Sequence, residues 1–180
     1  MLNDIKRVLF TREDIEEICR KLGEEISRDY ENKKLLLVCI LKGSAVFAAD
    51  LMRYIKVPCV IDFIALSSYG SSAVSSERVK VNKDFSIDPC GYDVLIVEDI
   101  LDSGRTVEFV IESMLKYKNP RSVRVCALLD KPSRRVKDGI KADYSGGEVP
   151  DAFVVGYGLD YDEKYRNLPF IGELKEEIYK

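Results

Sequence analysis

The chain contains no histidine, and that absence excludes more chemistry than any other feature of its composition. Ser-His and Cys-His nucleophiles are ruled out along with the commonest general base, so proton transfer must fall to a carboxylate, a lysine or a tyrosine. Cysteine is scarce and scattered. Cys19, Cys39, Cys59, Cys90 and Cys126 show no C-x-x-C spacing; without histidine this removes structural zinc, so that any metal should be a hard cation on oxygen ligands. Cys39, Cys59 and Cys126 lie inside apolar runs and are expected to be small core residues. No apolar run reaches the roughly 20 residues of a membrane span, and the opening MLNDIKRVLF lacks a secretory apolar core, so a cytoplasmic protein is expected. An excess of basic charge is missing too. A net charge of −3 argues against a broad nucleic-acid-binding surface. What is present, 46% hydrophobic and 33% charged residues over 180 positions, describes one globular domain spanning 1–180, large enough to bury a core without disulfides.

The stretch Val94 to Thr106, VLIVEDILDSGRT, organises the rest. Val94, Leu95, Ile96 and Val97 form the short apolar run expected of a strand buried on both faces of a parallel sheet. Two carboxylates, Glu98 and Asp99, follow the run directly. Asp102, Ser103, Gly104, Arg105 and Thr106 then bring an acid, two hydroxyls, a permissive backbone and a cation to the start of a helical pattern near Val107. A strand, loop and helix start of this kind aims free N–H groups at an anion, and Gly104 allows the backbone to approach a phosphate closely. Two common phosphate cradles are absent: no stretch has P-loop spacing, and the Gly156-x-Gly158 pair meets Tyr161 where a dinucleotide fingerprint requires glycine.

Thr11 and Asp14 form a capping pair ahead of Ile15, Ile18, Cys19, Leu22 and Ile26, which share one helical face. Leu35 to Leu41 read as a buried strand ending at Lys42, Gly43 and Ser44, with a second helix carrying Phe47, Ala48, Leu51, Met52 and Ile55. A cationic glycine-containing turn at the end of a parallel strand lies where α/β proteins bind ligands. Another strand, Cys59 to Leu66, gives way to SSYGSSAVSS, ten residues with six serines. Such a segment cannot support a packed element and is read as a mobile lid, flanked by a small antiparallel arm at Val79, Lys80 and Val81. A helix with Val107, Val110, Met114 and Leu115 stops near Asn119 and Pro120. A further strand, Ser122 to Leu129, leads into Asp130, Lys131, Pro132, Ser133, Arg134 and Arg135. The alternation of strands and helices predicts an α/β fold with a mainly parallel central sheet flanked by helices.

Four of these strings, LKGS at Leu41–Ser44, the thirteen-residue stretch above, DKPSRR after the strand to Leu129, and PDAFVVGYGLDYDEKYRNLPFIG at Pro150–Gly172, closely resemble the motifs of type I phosphoribosyltransferases. They resemble in particular the hypoxanthine-guanine phosphoribosyltransferases, over about Leu35 to Gly172. The resemblance implies the type I fold, with a hood built mainly by residues 131–172 together with N-terminal segments. It implies phosphoribosyl pyrophosphate and a 6-oxopurine as substrates, Mg²⁺ as cofactor, and a homodimer or homotetramer. By the same resemblance Lys42, Gly43 and Arg166 hold pyrophosphate, and the Leu41–Lys42 peptide is often cis. Glu98, Asp99 and Asp160 serve the metal, partly through ribose hydroxyls or water. Asp102 to Thr106, including Ser103, Gly104 and Arg105, hold the 5′-phosphate. Asp102 becomes the base or acid at N7, a role that suits a desolvated, lid-closed site. Lys131 reads the 6-oxo group, Phe153 stacks on the purine, and backbone groups of Val154 read the remaining base edge. Ser68 and Tyr69 match the lid pair.

One departure is local: Gly146 and Gly147 stand where the family has glycine followed by an aromatic residue, which predicts a packing gap beneath the hood at Gly147. Alternatives stay open within the fold and outside it. A xanthine-preferring enzyme, a pyrimidine-type relative, an RNA-binding attenuation regulator and a non-catalytic nucleotide sensor could each use the same phosphate loop.

Overall fold

The computed structural model describes residues 1–69, 78–135 and 139–180. After a strand β1 (Ile5–Phe10), helix α1 (Arg12–Asp29) starts at a reciprocal capping box. Asp14 N donates to Thr11 Oγ1 at 3.2 Å and Thr11 N donates to Asp14 Oδ2 at 2.9 Å, which satisfies two N–H groups that the first helical turn would leave unpaired. Next come β2 (Leu35–Leu41), α2 (Ala45–Tyr54), β3 (Cys59–Tyr69), the arm β4 (Arg78–Lys83), β5 (Asp93–Leu101), α3 (Arg105–Tyr117) and β6 (Ser122–Asp130). Short strands β7 (Tyr144–Ser145), β8 (Val154–Val155) and β9 (Ile171–Leu174) and a single turn α4 (Glu176–Tyr179) finish the chain.

Six strands form the main sheet in the order β4-β3-β2-β5-β6-β7, parallel except for β4, which pairs antiparallel with β3. Its strands alternate between two cores, as a period of two requires. Leu35, Leu37 and Cys39 of β2, with Leu95 and Val97 of β5, pack with Ile15, Leu22, Ile26, Phe47 and Leu51 of α1 and α2. Leu36, Val38 and Ile40, with Val94 and Ile96, pack with Val107, Val110 and Met114 of α3. Cys39 and Cys126 are fully buried, Cys59 partly so, and all five cysteines are free thiols. Leu115 departs from the expected helical face and is 61% exposed.

From β2 the chain proceeds outward through α2 to β3, whereas from β5 it proceeds the other way through α3 to β6. The loops after β2 and β5 therefore diverge, leaving a crevice at the carboxyl ends of two adjacent strands. Over one end stands a second, antiparallel sheet in the order β1-β9-β8. Its N-terminal strand is tied to β9 by Lys6 and Arg7, whose nitrogens lie 2.7 Å from the two oxygens of Glu173.

Three boundaries differ from the sequence reading. Glu98 and Asp99 do not follow the strand but belong to it, because β6 continues alongside as far as Asp130 and pairs Glu98 with Ala127. Helix α3 begins at Arg105, two residues early, since Gly104 at φ +84° supplies the left-handed turn that starts it. Ser67, Ser68 and Tyr69 extend β3 by pairing with Lys80, Val79 and Arg78, so these three belong to a strand rather than to an unpacked segment, and 70–77 lie outside the described residues. The gap expected at Gly147 is occupied: the Phe10 ring comes within 3.4 Å of where a Cβ would stand.

Candidate active site

Four loops meet at the crevice. The first leaves β2 through a cis Leu41–Lys42 peptide. Ser44 is fully buried and donates to Ile40 O at 2.6 Å, which folds the turn back on its own strand. Gly43 faces the acid pair so closely that a Cβ there would sit 1.6 Å from Asp99 Oδ2. On the other side Gly158, at φ +102°, presses against the same turn, and a Cβ would lie 2.1 Å from Gly43 O. Glycine is required at both positions because backbone meets carboxylate at one and backbone at the other.

Lys42 and Arg166, 121 or fewer residues apart from a shared acid, converge in space. Lys42 Nζ lies 2.9 Å from Glu163 Oε1, and Arg166 Nη2 lies 3.1 Å from Glu163 Oε2 and 2.9 Å from Asp160 Oδ1. Arg166 Nη1 also donates to Gly158 O at 2.8 Å, fixing its guanidinium over the turn. Glu163, held below the usual carboxylate range first by its bond to Lys42, was not singled out by sequence; an exposed acid in a charged string gives no signal of its own.

Glu98 and Asp99 lie side by side below these cations. Burial pushes the Glu98 carboxyl up, and the neighbouring Asp99 charge adds to it; burial likewise raises Asp99 to about 6, opposed by the N–H of Ile100 and by Arg166. Glu98 Oε2 is buried without a hydrogen-bond partner. A buried carboxylate with an orphaned oxygen beside a half-buried one is short of positive charge, which is the condition a divalent cation relieves. Among the described residues no three acids or cysteines stand arranged as a ready-made metal cage. A cation here would complete its shell from water and a ligand, as Mg²⁺ commonly does.

Ser103, Arg105 and Thr106 line the same cleft as Lys42, Gly43, Glu98, Asp99, Asp160 and Arg166, a space of about 320 Å³. Its neighbour, about 330 Å³, is lined by Asp102, Lys131, Phe153, Val154, Asp151 and Tyr179, and Asp99 and Asp160 border both. Asp102 is the divide: its loop neighbours face one space, while its own side chain borders the other with Oδ1 buried and unpartnered.

In the second space Lys131 is 4% exposed. Its ammonium donates to Ala152 O at 2.9 Å and lies 3.1 Å from Asp151 Oδ1, which also receives Arg134 Nε at 2.8 Å. An ammonium has three protons, and these contacts use two. The Phe153 ring meets Tyr161 edge-on at 5.3 Å and stacks on Tyr179 at 5.0 Å. Asp151 and Tyr179 were missed in the sequence. Asp151 lies within Pro150–Gly172 with no signal of its own, and Tyr179 lies beyond the stretch that carries the resemblance.

Of the expected anion and base residues, all but Gly104 line one or other of two adjoining cavities, and the atoms nearest a Cβ at Gly104 would be those of Arg135 and Ile140. The side chains of Ser68 and Tyr69 lie outside the described residues. A roomier cavity of about 440 Å³ opens on the far side of Arg166, between α1, α2 and residues 157–169. It contains neither the acid pair nor the phosphate loop and is not the candidate site.

Residues 9–162 match the family model described as the phosphoribosyl transferase domain. A Streptococcus thermophilus (strain CNRZ 1066) protein named hypoxanthine-guanine phosphoribosyltransferase is 49% identical over 176 residues, 98% of this chain and 97% of its own. One of the same name from Bacillus subtilis (strain 168) is 48% identical over 180 residues, 100% of this chain and 99% of its own. A crystal structure of a hypoxanthine phosphoribosyltransferase from Staphylococcus aureus, 48% identical, superposes with a TM-score of 0.94 over 100% of this chain and 97% of that one. By sequence over most of its length and by superposition on a solved relative, the chain belongs to the phosphoribosyl transferase domain family and has the type I fold.

Proposed function

We propose that the chain transfers the 5-phosphoribosyl group from phosphoribosyl pyrophosphate to N9 of hypoxanthine or guanine, releasing pyrophosphate and the nucleoside monophosphate, a purine-salvage reaction. One observation carries this reading. Asp102 belongs to the loop that starts α3 yet borders the cavity containing Lys131 and Phe153, so one turn bridges a phosphate site and a heterocycle site.

The 5′-phosphate sits on the N–H groups at the start of α3, with the hydroxyls of Ser103 and Thr106 and the Arg105 cation around it. Lys42, the Gly43 turn and Arg166 receive the pyrophosphate, exchanging their present partner Glu163 for the stronger phosphate charge. Glu98 and Asp99, with Asp160 beside them, would hold Mg²⁺, which when bound offsets the charge that gathers on the departing pyrophosphate. The bond from C1′ to pyrophosphate oxygen breaks as the bond to N9 forms. The proton displaced from the purine passes to Asp102, whose buried Oδ1 has no competing donor.

Lys131 presents its remaining proton to the 6-oxo group. Adenine offers a donor at that position, which would leave two donors facing each other in a buried site, so adenine is a very poor substrate. Phe153 covers the ring. The lid, a cytoplasmic location and assembly into a dimer or tetramer belong to the same reading, the last measurable by light scattering. Among the described residues no helix is long and apolar enough to cross a membrane.

The deciding experiment presents hypoxanthine, guanine, xanthine, adenine and uracil in turn with phosphoribosyl pyrophosphate and Mg²⁺, following pyrophosphate release. Turnover confined to 6-oxopurines supports the reading. Preference for uracil, or no release with any base, overturns it, and a preference for xanthine would correct the substrate.

A further inference from the structure

The last turn of the chain has no part in the chemistry above, yet it ends inside the base cavity. Strand β9 lies between β1 and β8, and Leu174 N donates to Phe153 O at 2.8 Å, so the chain leaves the small sheet beside the Phe153 backbone. Lys175 N then donates to Asp4 O at 2.9 Å. Ile178 and Tyr179 pack in one cluster with Ile5, Phe153, Tyr161 and Phe170, which turns α4 back toward Phe153.

Tyr179 lands with its ring stacked on Phe153, centroids 5.0 Å apart and planes inclined by 29°, and edge-on to Tyr161 at 6.5 Å. Tyr179 is only half-buried, and it shares its cavity with Asp102, Lys131, Val154 and Leu159.

We propose that Tyr179 is a wall of the purine site, a specificity-determining residue that holds the Phe153 ring in place and presents aromatic surface to the bound heterocycle. The inference rests on the purine reading above. Phe153 and Tyr179 line the base cavity and not the cleft that holds Ser103, Arg105 and Thr106, so the effect should fall on the base and leave phosphoribosyl pyrophosphate untouched.

Two measurements test it. In Tyr179→Ala the KM for hypoxanthine should rise about three- to tenfold, the scale of one lost aromatic pair, while the KM for phosphoribosyl pyrophosphate stays within twofold; Tyr179→Phe should recover the base KM. The chain contains no tryptophan, so Tyr179→Trp places a lone indole in the wall, and adding hypoxanthine with Mg²⁺ and pyrophosphate should quench it saturably. An unchanged hypoxanthine KM in Tyr179→Ala, equal rises in both KM values, or a silent indole at saturating base overturns the proposal. If Tyr179→Ala fails to fold, the indole titration decides. A wild-type protein that transfers to no base refutes the purine reading itself, whereas an active wild type with an indifferent Tyr179→Ala refutes only this inference.

Discussion

At the scale of single residues, the crevice turns on positions where an ordinary side chain would not fit or would not serve. Asp102 is one, because a buried carboxylate oxygen without a partner costs free energy unless a ligand uses it. In Asp102→Asn the amide keeps the shape but cannot take a proton. Turnover with hypoxanthine should fall by about 10²- to 10⁴-fold, the usual worth of a positioned acid or base, with the KM for phosphoribosyl pyrophosphate nearly unchanged. Steady-state kinetics decides, and near-normal turnover would remove Asp102 from the chemistry. Gly43 is the other. An alanine Cβ would stand 1.6 Å from Asp99 Oδ2, so the Asp99 carboxylate must swing away from the place the turn leaves for it. Gly43→Ala should raise the KM for phosphoribosyl pyrophosphate by at least about tenfold, or 1.4 kcal/mol, with a native circular dichroism spectrum. An unaltered KM would mean that the turn and the acid do not act together.

At the scale of elements, what could be read from sequence and what could not divide along physical lines. The apolar runs Leu35 to Leu41 and Val94 to Val97 announced buried parallel strands because both faces of each are covered by helices. The extra length of β5 was hidden, since Glu98 and Asp99 look like loop residues until β6 is seen pairing beside them. In the same way Ser67 to Tyr69 read as lid by composition, but pairing with β4 overrides composition. That the residues expected to hold anions would share one cleft was legible because their motifs are contiguous. Glu163, Asp151 and Tyr179 were not, because each acts through a contact that only the folded chain creates. The tie between β1 and β9 is of the same hidden kind. Glu173 is nearly buried and receives both Lys6 and Arg7, so Glu173→Gln should cost about 1–2 kcal/mol in urea unfolding at pH 7. The bond to Lys6, then that to Arg7, holds the Glu173 carboxyl below its ordinary value of 4.5. Its contribution is therefore complete above pH 4.5 and lost as pH falls through the lower, folded value. The gap between variant and wild type should close below pH 4.5, and a gap independent of pH would assign the loss to packing.

At the scale of the whole molecule, a chain of net charge −3 concentrates both signs at one crevice, and the two cavities there share a wall of carboxylates. Asp99 and Asp160 border both spaces, while Asp102 and Asp151 add to the base side. In the free protein Asp160 leans on Arg166, and Asp99, beside buried Glu98, has the N–H of Ile100 at 2.8 Å and the more distant pull of that guanidinium. A purine entering alone would cover this wall while its charge is only partly compensated, which opposes desolvation. Pyrophosphate and Mg²⁺ bound in the neighbouring space would give the acids a cation to meet, and the same covering would cost less. The two sites should therefore be positively coupled, and reciprocally so. Isothermal titration should find hypoxanthine binding at least about tenfold tighter with Mg²⁺ and pyrophosphate present than without them, a coupling of about 1.4 kcal/mol. Asp160→Asn, which removes one charge from the shared wall, should shrink that factor by tightening binding in the absence of pyrophosphate. Equal affinities in both conditions would show that the wall does not carry the coupling and that the two spaces fill independently.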